Sequence, residues 1–281
     1  MLVAALLLAW VETAAPYNRT RVVSNPEQCT AWPGASAVAF HMAGPGTYSS
    51  DEYARFETAI KGSANAWQSR MSTCGSLHVT VGGGSGSRVA EFRPASSSNE
   101  NVIVFRTTAC TQACLSSDTC NNDYDCWAYS AKTIALTTTT FDPNSGRIYD
   151  ADIEYNGASQ TFTTVNAPPC LPVAPSTSCV ATDVQNTTTH EIGHALGLDH
   201  IGISSSTMFS SSDIGDLQKR GLDPGSEQFV CDVYPTGKPS RSCVTKQLNS
   251  NLGSAVGCSV APMTLPLLAM LTLALARKRR A

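Results

Sequence analysis

Apolar residues recur at helical spacing in "SSDEYARFETAIKGSANAWQSRM", residues 49–71, where Tyr53, Phe56, Ile60 and Trp67 fall on one face. The pattern predicts an amphipathic helix, with Ser50 or Asp51 at its N-cap. Elsewhere the apolar runs are short and strand-like, at 35–44, 77–81, 101–108, 132–141 and 148–156. "GGGSGS" follows the second of these runs, and "DPNSGR" at 142–147 separates the last two, so both read as turns. Residues 109–130 form a cysteine-rich loop, and 166–180 a loop rich in Pro and Cys. Helical character returns in "TDVQNTTTHEIGHALGLDH", where Thr182 and Gln185 have the spacing of a capping box. That helix is expected over 183–196, with Gly197 as a left-handed C-terminal cap. A shorter helix is expected over 212–220. No internal repeat interrupts this order, and the expected fold class is α+β.

The two ends fall outside that pattern. Residues 1–15, "MLVAALLLAWVETAA", read as a secretory signal peptide. A polar lead-in covers 16–35, the main domain 36–235, and a linker rich in Ser, Gly, Asn and Lys 236–257. The tail, 258–281, carries an apolar stretch at 259–276, followed by Arg277, Lys278, Arg279 and Arg280. At about 1.5 Å per residue such a stretch just crosses a bilayer core, and the basic cluster would hold its end in the cytoplasm. With Cys258 at its border, the tail resembles the MYXO-CTERM sorting signals of myxobacterial surface proteins. The resemblance implies cleavage near Cys258 and anchoring at the cell surface; a plain single-span anchor is the alternative.

Composition changes this picture little. Apolar residues make up 42% and charged residues 15%, enough for a sizeable core, and the net charge is −3. A weakly acidic chain of this kind lacks the basic patch of a nucleic-acid binder. The eleven cysteines are more telling. With Cys258 set aside, an even set remains, which in an exported protein reads as up to five disulfides. Cys170–Cys179 and Cys231–Cys243 are the short-range pairings expected. The run Cys110, Cys114, Cys120, Cys126 could instead bind a metal, although its spacing favours disulfides.

The chemistry concentrates in "HEIGHALGLDH". His190 and His194, four apart on a helix, face the same way and can reach one metal. Gly197 turns the chain back so that His200 arrives from the following loop as a third ligand. Three neutral imidazoles on Zn²⁺ leave one open position, the mark of a catalytic rather than a structural site. Glu191 points to the same cleft without being a ligand, and is placed to serve as general base. The expected reaction is hydrolysis of a peptide bond by a zinc-activated water. His41 and His78 stand alone and read as ordinary core or surface residues.

HExxHxxGxxH with Met208 eight residues downstream resembles the metzincin metalloproteases, and "HEIGHALGLDH" resembles their matrixin branch. The resemblance spans residues 35–225 and implies a twisted mixed β-sheet, a long active-site helix, a C-terminal helix and a Met-turn at Met208. It assigns "SDIGDLQKRGL" to the final helix. It also assigns 141–156 to the substrate-facing edge strand, with Tyr149, Asp150, Ala151 and Asp152 beside the peptide. Phe209 and Ser210 depart from the family's wording, and Ser210 stands where some metzincins place a metal-binding tyrosine. Asp152 occupies the position of a structural-zinc histidine, so calcium held by Asp150, Asp152 or Glu154 is the alternative second metal. Small residues over 201–211 imply a roomy substrate pocket.

The expected protein is therefore an exported, surface-anchored zinc endopeptidase acting on polypeptides. It is expected to be a monomer, to touch the membrane through its tail and to bind no nucleic acid. Two other readings compete: a catalytically silent, disulfide-rich surface binding or adhesion protein, and a zinc hydrolase of cell-wall peptides.

Overall fold

Alternating or continuously buried runs along Ala37–Ala43 (β1), His78–Ser85 (β2), Asn101–Arg106 (β3), Ala135–Phe141 (β4) and Ile148–Asn156 (β5) build one five-stranded sheet in the order β2-β1-β3-β5-β4. The computed structural model describes residues 16–85, 87–94, 99–110 and 120–243. Strands β2, β1, β3 and β5 run parallel, and β4 joins antiparallel at one edge. The fold is α+β, as the pattern predicts.

Among the described residues three helices of ten residues or more accompany the sheet, α1 (Ser50–Cys74), α2 (Val184–Ala195) and α3 (Pro224–Val233), besides a single turn at Cys120–Tyr124. Phe56, Ile60 and Trp67 of α1, Ile192 of α2 and Phe229 of α3 share one core with Phe40, Ile103, Phe105, Ile153 and Tyr155 of the sheet. Burying side chains of this size contributes roughly 1.5–3 kcal/mol each. Helix α1 starts one residue earlier than expected, because Ser49 and Glu52 form a complete capping box. Helix α2 is capped by the Asp183 side chain, which accepts from Asn186 N. Thr182, the expected cap, instead pairs in a short parallel bridge with Phe162.

The final helix differs more. Only a 3₁₀ turn, Gln218–Arg220, falls in the expected 212–220 stretch, and the helix itself is α3. Asp223 caps it and Pro224 occupies its first turn, a start signal the sequence does carry. Residues 16–35 also prove to be part of the packed structure. Asn18 and Arg19 pair with Asp199 and Leu198, and Trp32 donates its indole N–H to Ala195 O.

Disulfides close the same layers. Cys170–Cys179 and Cys110–Cys126 are bridged, and Cys120 is disulfide-bonded as well. A thiolate metal site in that run is thereby ruled out for these three. The expected Cys231–Cys243 bridge does not form. Cys231 of α3 pairs with Cys74 at the end of α1, and Cys243 with Cys29. Helix packing brings the first pair together across 157 residues, so closeness in sequence misleads here. Among the described residues no helix is long and apolar enough to cross a membrane. The signal-peptide segment, Cys258 and the apolar tail lie outside the described residues.

Strand β5 is buried on both faces, which accounts for Asp150, Asp152 and Glu154. Ala151, Ile153 and Tyr155 face the helices. The three acids point the other way. Glu154 pairs with Arg106 at 2.6 Å, and Asp152 accepts from Val102 N at 2.6 Å. Burial, and for Asp152 also the neighbouring Asp150 charge, hold both aspartates above the usual carboxylate range. Since the folded state binds protons there more tightly than the unfolded chain, the pair weakens stability progressively as pH rises above about 4. Asp150→Asn removes one buried carboxylate. The expected result, read by thermal melts, is a rise in Tm of roughly 2–4 °C at pH 8, shrinking towards pH 4.5.

Candidate metal centre

Helix α2 carries His190, Glu191 and His194, all buried. Gly197 then takes φ 101°, and a Cβ there would lie 2.5 Å from Thr30 O. Both the left-handed backbone and the close approach demand glycine. The turn returns the chain so that His200 faces the helix. The three Nε2 atoms stand 3.1 Å (His190–His200), 3.2 Å (His190–His194) and 3.1 Å (His194–His200) apart.

The tautomers of His190 and His194 follow from their outer hydrogen bonds. His190 Nδ1–H donates to Thr207 O at 2.7 Å, and His194 Nδ1–H to Leu198 O at 2.9 Å. These bonds leave the Nε2 lone pairs of His190 and His194 turned towards each other and towards His200 Nε2, a convergence of donors that a cation makes favourable. Burial holds His190 well below the usual histidine range and His194 down to about 3, and lowers His200 less. All three are thus neutral at ordinary pH, the form in which an imidazole can ligate a metal. Tetrahedral zinc bound at about 2.0–2.1 Å sets its nitrogens roughly 3.3 Å apart, so the donor set fits that ion.

Met208 lies beneath this group. Its Sδ would be 2.4 Å from a Cβ on Gly193, so the helix backbone rests directly on the thioether. Met208 O accepts from Ile201 N, which ties the turn to the chain just after His200.

Glu191 lines the same cleft as the three histidines. Its Oε2 accepts from Thr137 Oγ1 at 2.6 Å, and Thr137 sits on β4. Burial pushes the carboxyl up to about 7, against the Thr137 hydrogen bond and the Lys219 charge. A dication in the histidine trio would act in the lowering direction.

The edge strand is where sequence reasoning needs correction. Strand β5 lies between β3 and β4, and β4 forms the sheet edge. Asp150, Ala151 and Asp152 are buried in this interior strand, so they cannot border a substrate. Tyr149 is 41% exposed but stacks on Phe92. The cleft is bordered instead by β4 and the chain before it, including Thr133, Ala135 and Thr137. Its volume is about 400 Å³. Of the small residues expected at the pocket wall, Ser210 and Ser211 line it, joined by Ser212. Two residues that line the cleft beside the histidines, Thr137 and Lys219, carried no sequence signal. Thr137 is one of four consecutive threonines, and Lys219 sits in an ordinary-looking Lys-Arg pair.

An α+β metzincin-type fold with a three-histidine centre is the class these observations define. The matrixin family model matches residues 115–234, under half of the chain but including α2, the Met208 turn, β4, β5 and α3. No curated protein matches the chain. The family match supports a metallopeptidase of the matrixin kind.

Proposed function

We propose that the chain is a zinc-dependent endopeptidase, exported and held at the cell surface by its tail. The observation that carries the reading is the Nε2 trio at 3.1–3.2 Å with Glu191 in the same cleft. His190, His194 and His200 would hold the ion. When bound, zinc supplies a Lewis acid and lowers the pKa of water at its open position towards neutrality. Glu191 accepts the proton of the attacking water and returns it to the leaving amine. Thr137 holds the accepting carboxylate in place through its hydroxyl. An extended substrate would add as a strand to the edge of β4, which among the described residues has a strand neighbour on one side only. Four disulfides among the described cysteines suit an oxidising compartment outside the cytoplasm.

The test uses the full chain produced in an oxidising compartment. Metal analysis should find one zinc per chain, and the protein should cleave an unfolded protein substrate until a zinc chelator is added. A folded protein that takes up no zinc would sink the proposal.

Thr137 is a positioning residue for Glu191. Thr137→Val should lower kcat about tenfold with KM little changed, an effect of about 1.4 kcal/mol. Thr137→Ser, which restores the hydroxyl, should recover most of the rate. If valine and serine behave alike in steady-state kinetics, the hydrogen bond is not what matters.

A further inference from the structure

We propose that Lys219 makes the cleft select an acidic side chain at a substrate position next to the scissile bond. This inference rests on the endopeptidase reading above. Lys219 is 4% exposed, yet it lines the same cleft as the histidine trio. Its backbone N–H donates to Asn186 Oδ1 at 2.6 Å, which fixes its place against α2. Its ammonium donates to Phe209 O at 2.5 Å and Ser211 O at 2.8 Å. Two of three N–H donors are thereby used, and one is left over.

The charge itself is left without a counter-ion. Among the described residues no carboxylate lies within ion-pair distance of Lys219. The fields of Asp216 and Glu191 reach it without forming a pair. The Phe209 ring, its centroid 6.0 Å from the ammonium, adds a weak cation-π contact but no counter-charge. A buried ammonium held by two carbonyls and a ring face is costly, and an arriving carboxylate would relieve that cost. The other charged groups along the cleft are Lys132, which adds a second positive charge, and Glu191, whose carboxylate already accepts from Thr137. The neighbouring wall carries the hydroxyls of Ser210 and Ser211, which suit a carboxylate better than a hydrocarbon, while the Ser212 hydroxyl is spent on Asp216. A glutamine side chain could accept a hydrogen bond there but would leave the charge unpaired. An apolar side chain would set hydrocarbon against the ammonium.

The experiment is a panel of quenched-fluorescence peptides carrying Glu, Gln, Leu or Lys in turn at each position flanking the scissile bond. These are cleaved by the zinc-loaded full chain. At one position Glu should exceed Gln at least tenfold in kcat/KM. Lys219→Gln keeps a donor for the loop carbonyls and removes the charge. It should bring that ratio below about twofold, while Lys219→Arg keeps it. A loss of rate that is equal for Glu and Gln peptides would show that Lys219 only clamps the loop, and would overturn the proposal. So would a wild-type protein with no preference for Glu at any position. Wild-type protein that cleaves nothing is instead a failure of the endopeptidase reading. In that case, anisotropy of the same labelled peptides on the Glu191→Gln protein still decides. Tighter binding of the Glu peptide, lost on adding Lys219→Gln, supports the role of Lys219, and equal or undetectable binding of both peptides overturns it.

Discussion

Glu191→Gln should lower kcat for peptide cleavage about 10³-fold, within the range that a positioned general base contributes. On the proposed reading the substitution removes the proton acceptor and little else. The amide keeps an oxygen that can accept from Thr137 Oγ1, as Oε2 does at 2.6 Å. Zinc content should stay at one per chain, because the converging donors are the imidazoles of His190, His194 and His200. Folding should be undisturbed, since a neutral amide is less costly to bury than a carboxylate. Activity, metal analysis and thermal melts on one preparation therefore separate the roles. A variant that keeps its zinc and most of its activity would remove Glu191 from the reaction and favour a base elsewhere in the cleft. Loss of zinc together with activity would mean that Glu191 holds the centre in shape.

The metal centre was legible because it is local. His190, His194, Gly197 and His200 lie within eleven residues, and helix periodicity followed by one glycine turn brings the histidines together. The partition into strands was also legible, since each has its own apolar run. Strand order was not. Strands β4 and β5 carry similar alternation, and only the long-range pairing of β5 with β3 decides which of them becomes the edge. The same limit governs the cysteines, whose pairing across 157 and 214 residues depends on packed layers. Lys219 shows the limit most plainly. Nothing in "LQKRG" separates a lysine buried beside the cleft from one in solvent. The start of α3 is a different kind of miss, because Asp223 followed by Pro224 is a local signal that was present and outweighed by the resemblance of the preceding stretch.

A buried ion pair lies on the face of the sheet away from α1, α2 and α3. Arg106 is fully buried, and its guanidinium donates to Glu154 Oε2 at 2.6 Å, Arg88 O at 2.9 Å, Asp125 Oδ1 at 2.8 Å and Asn122 Oδ1 at 2.8 Å. Arg106→Leu would leave the Glu154 carboxylate buried with Asn121 as its remaining partner. Breaking such a pair costs about 3–5 kcal/mol, which for a domain of this size lowers Tm by roughly 10 °C. The double variant Arg106→Leu/Glu154→Leu removes both charges and should recover much of that loss. A double-mutant cycle from denaturant unfolding then isolates the pairwise energy. A double variant no more stable than the weaker single one would place the cost in lost packing. The consequence reaches the site through the sheet. Arg106 and Glu154 join β3 to β5, and β5 carries β4, where Thr137 pairs with Ile153 and holds Glu191. Heat should therefore silence Arg106→Leu at lower temperature than wild type, while at 25 °C its zinc content and kcat stay close to wild type.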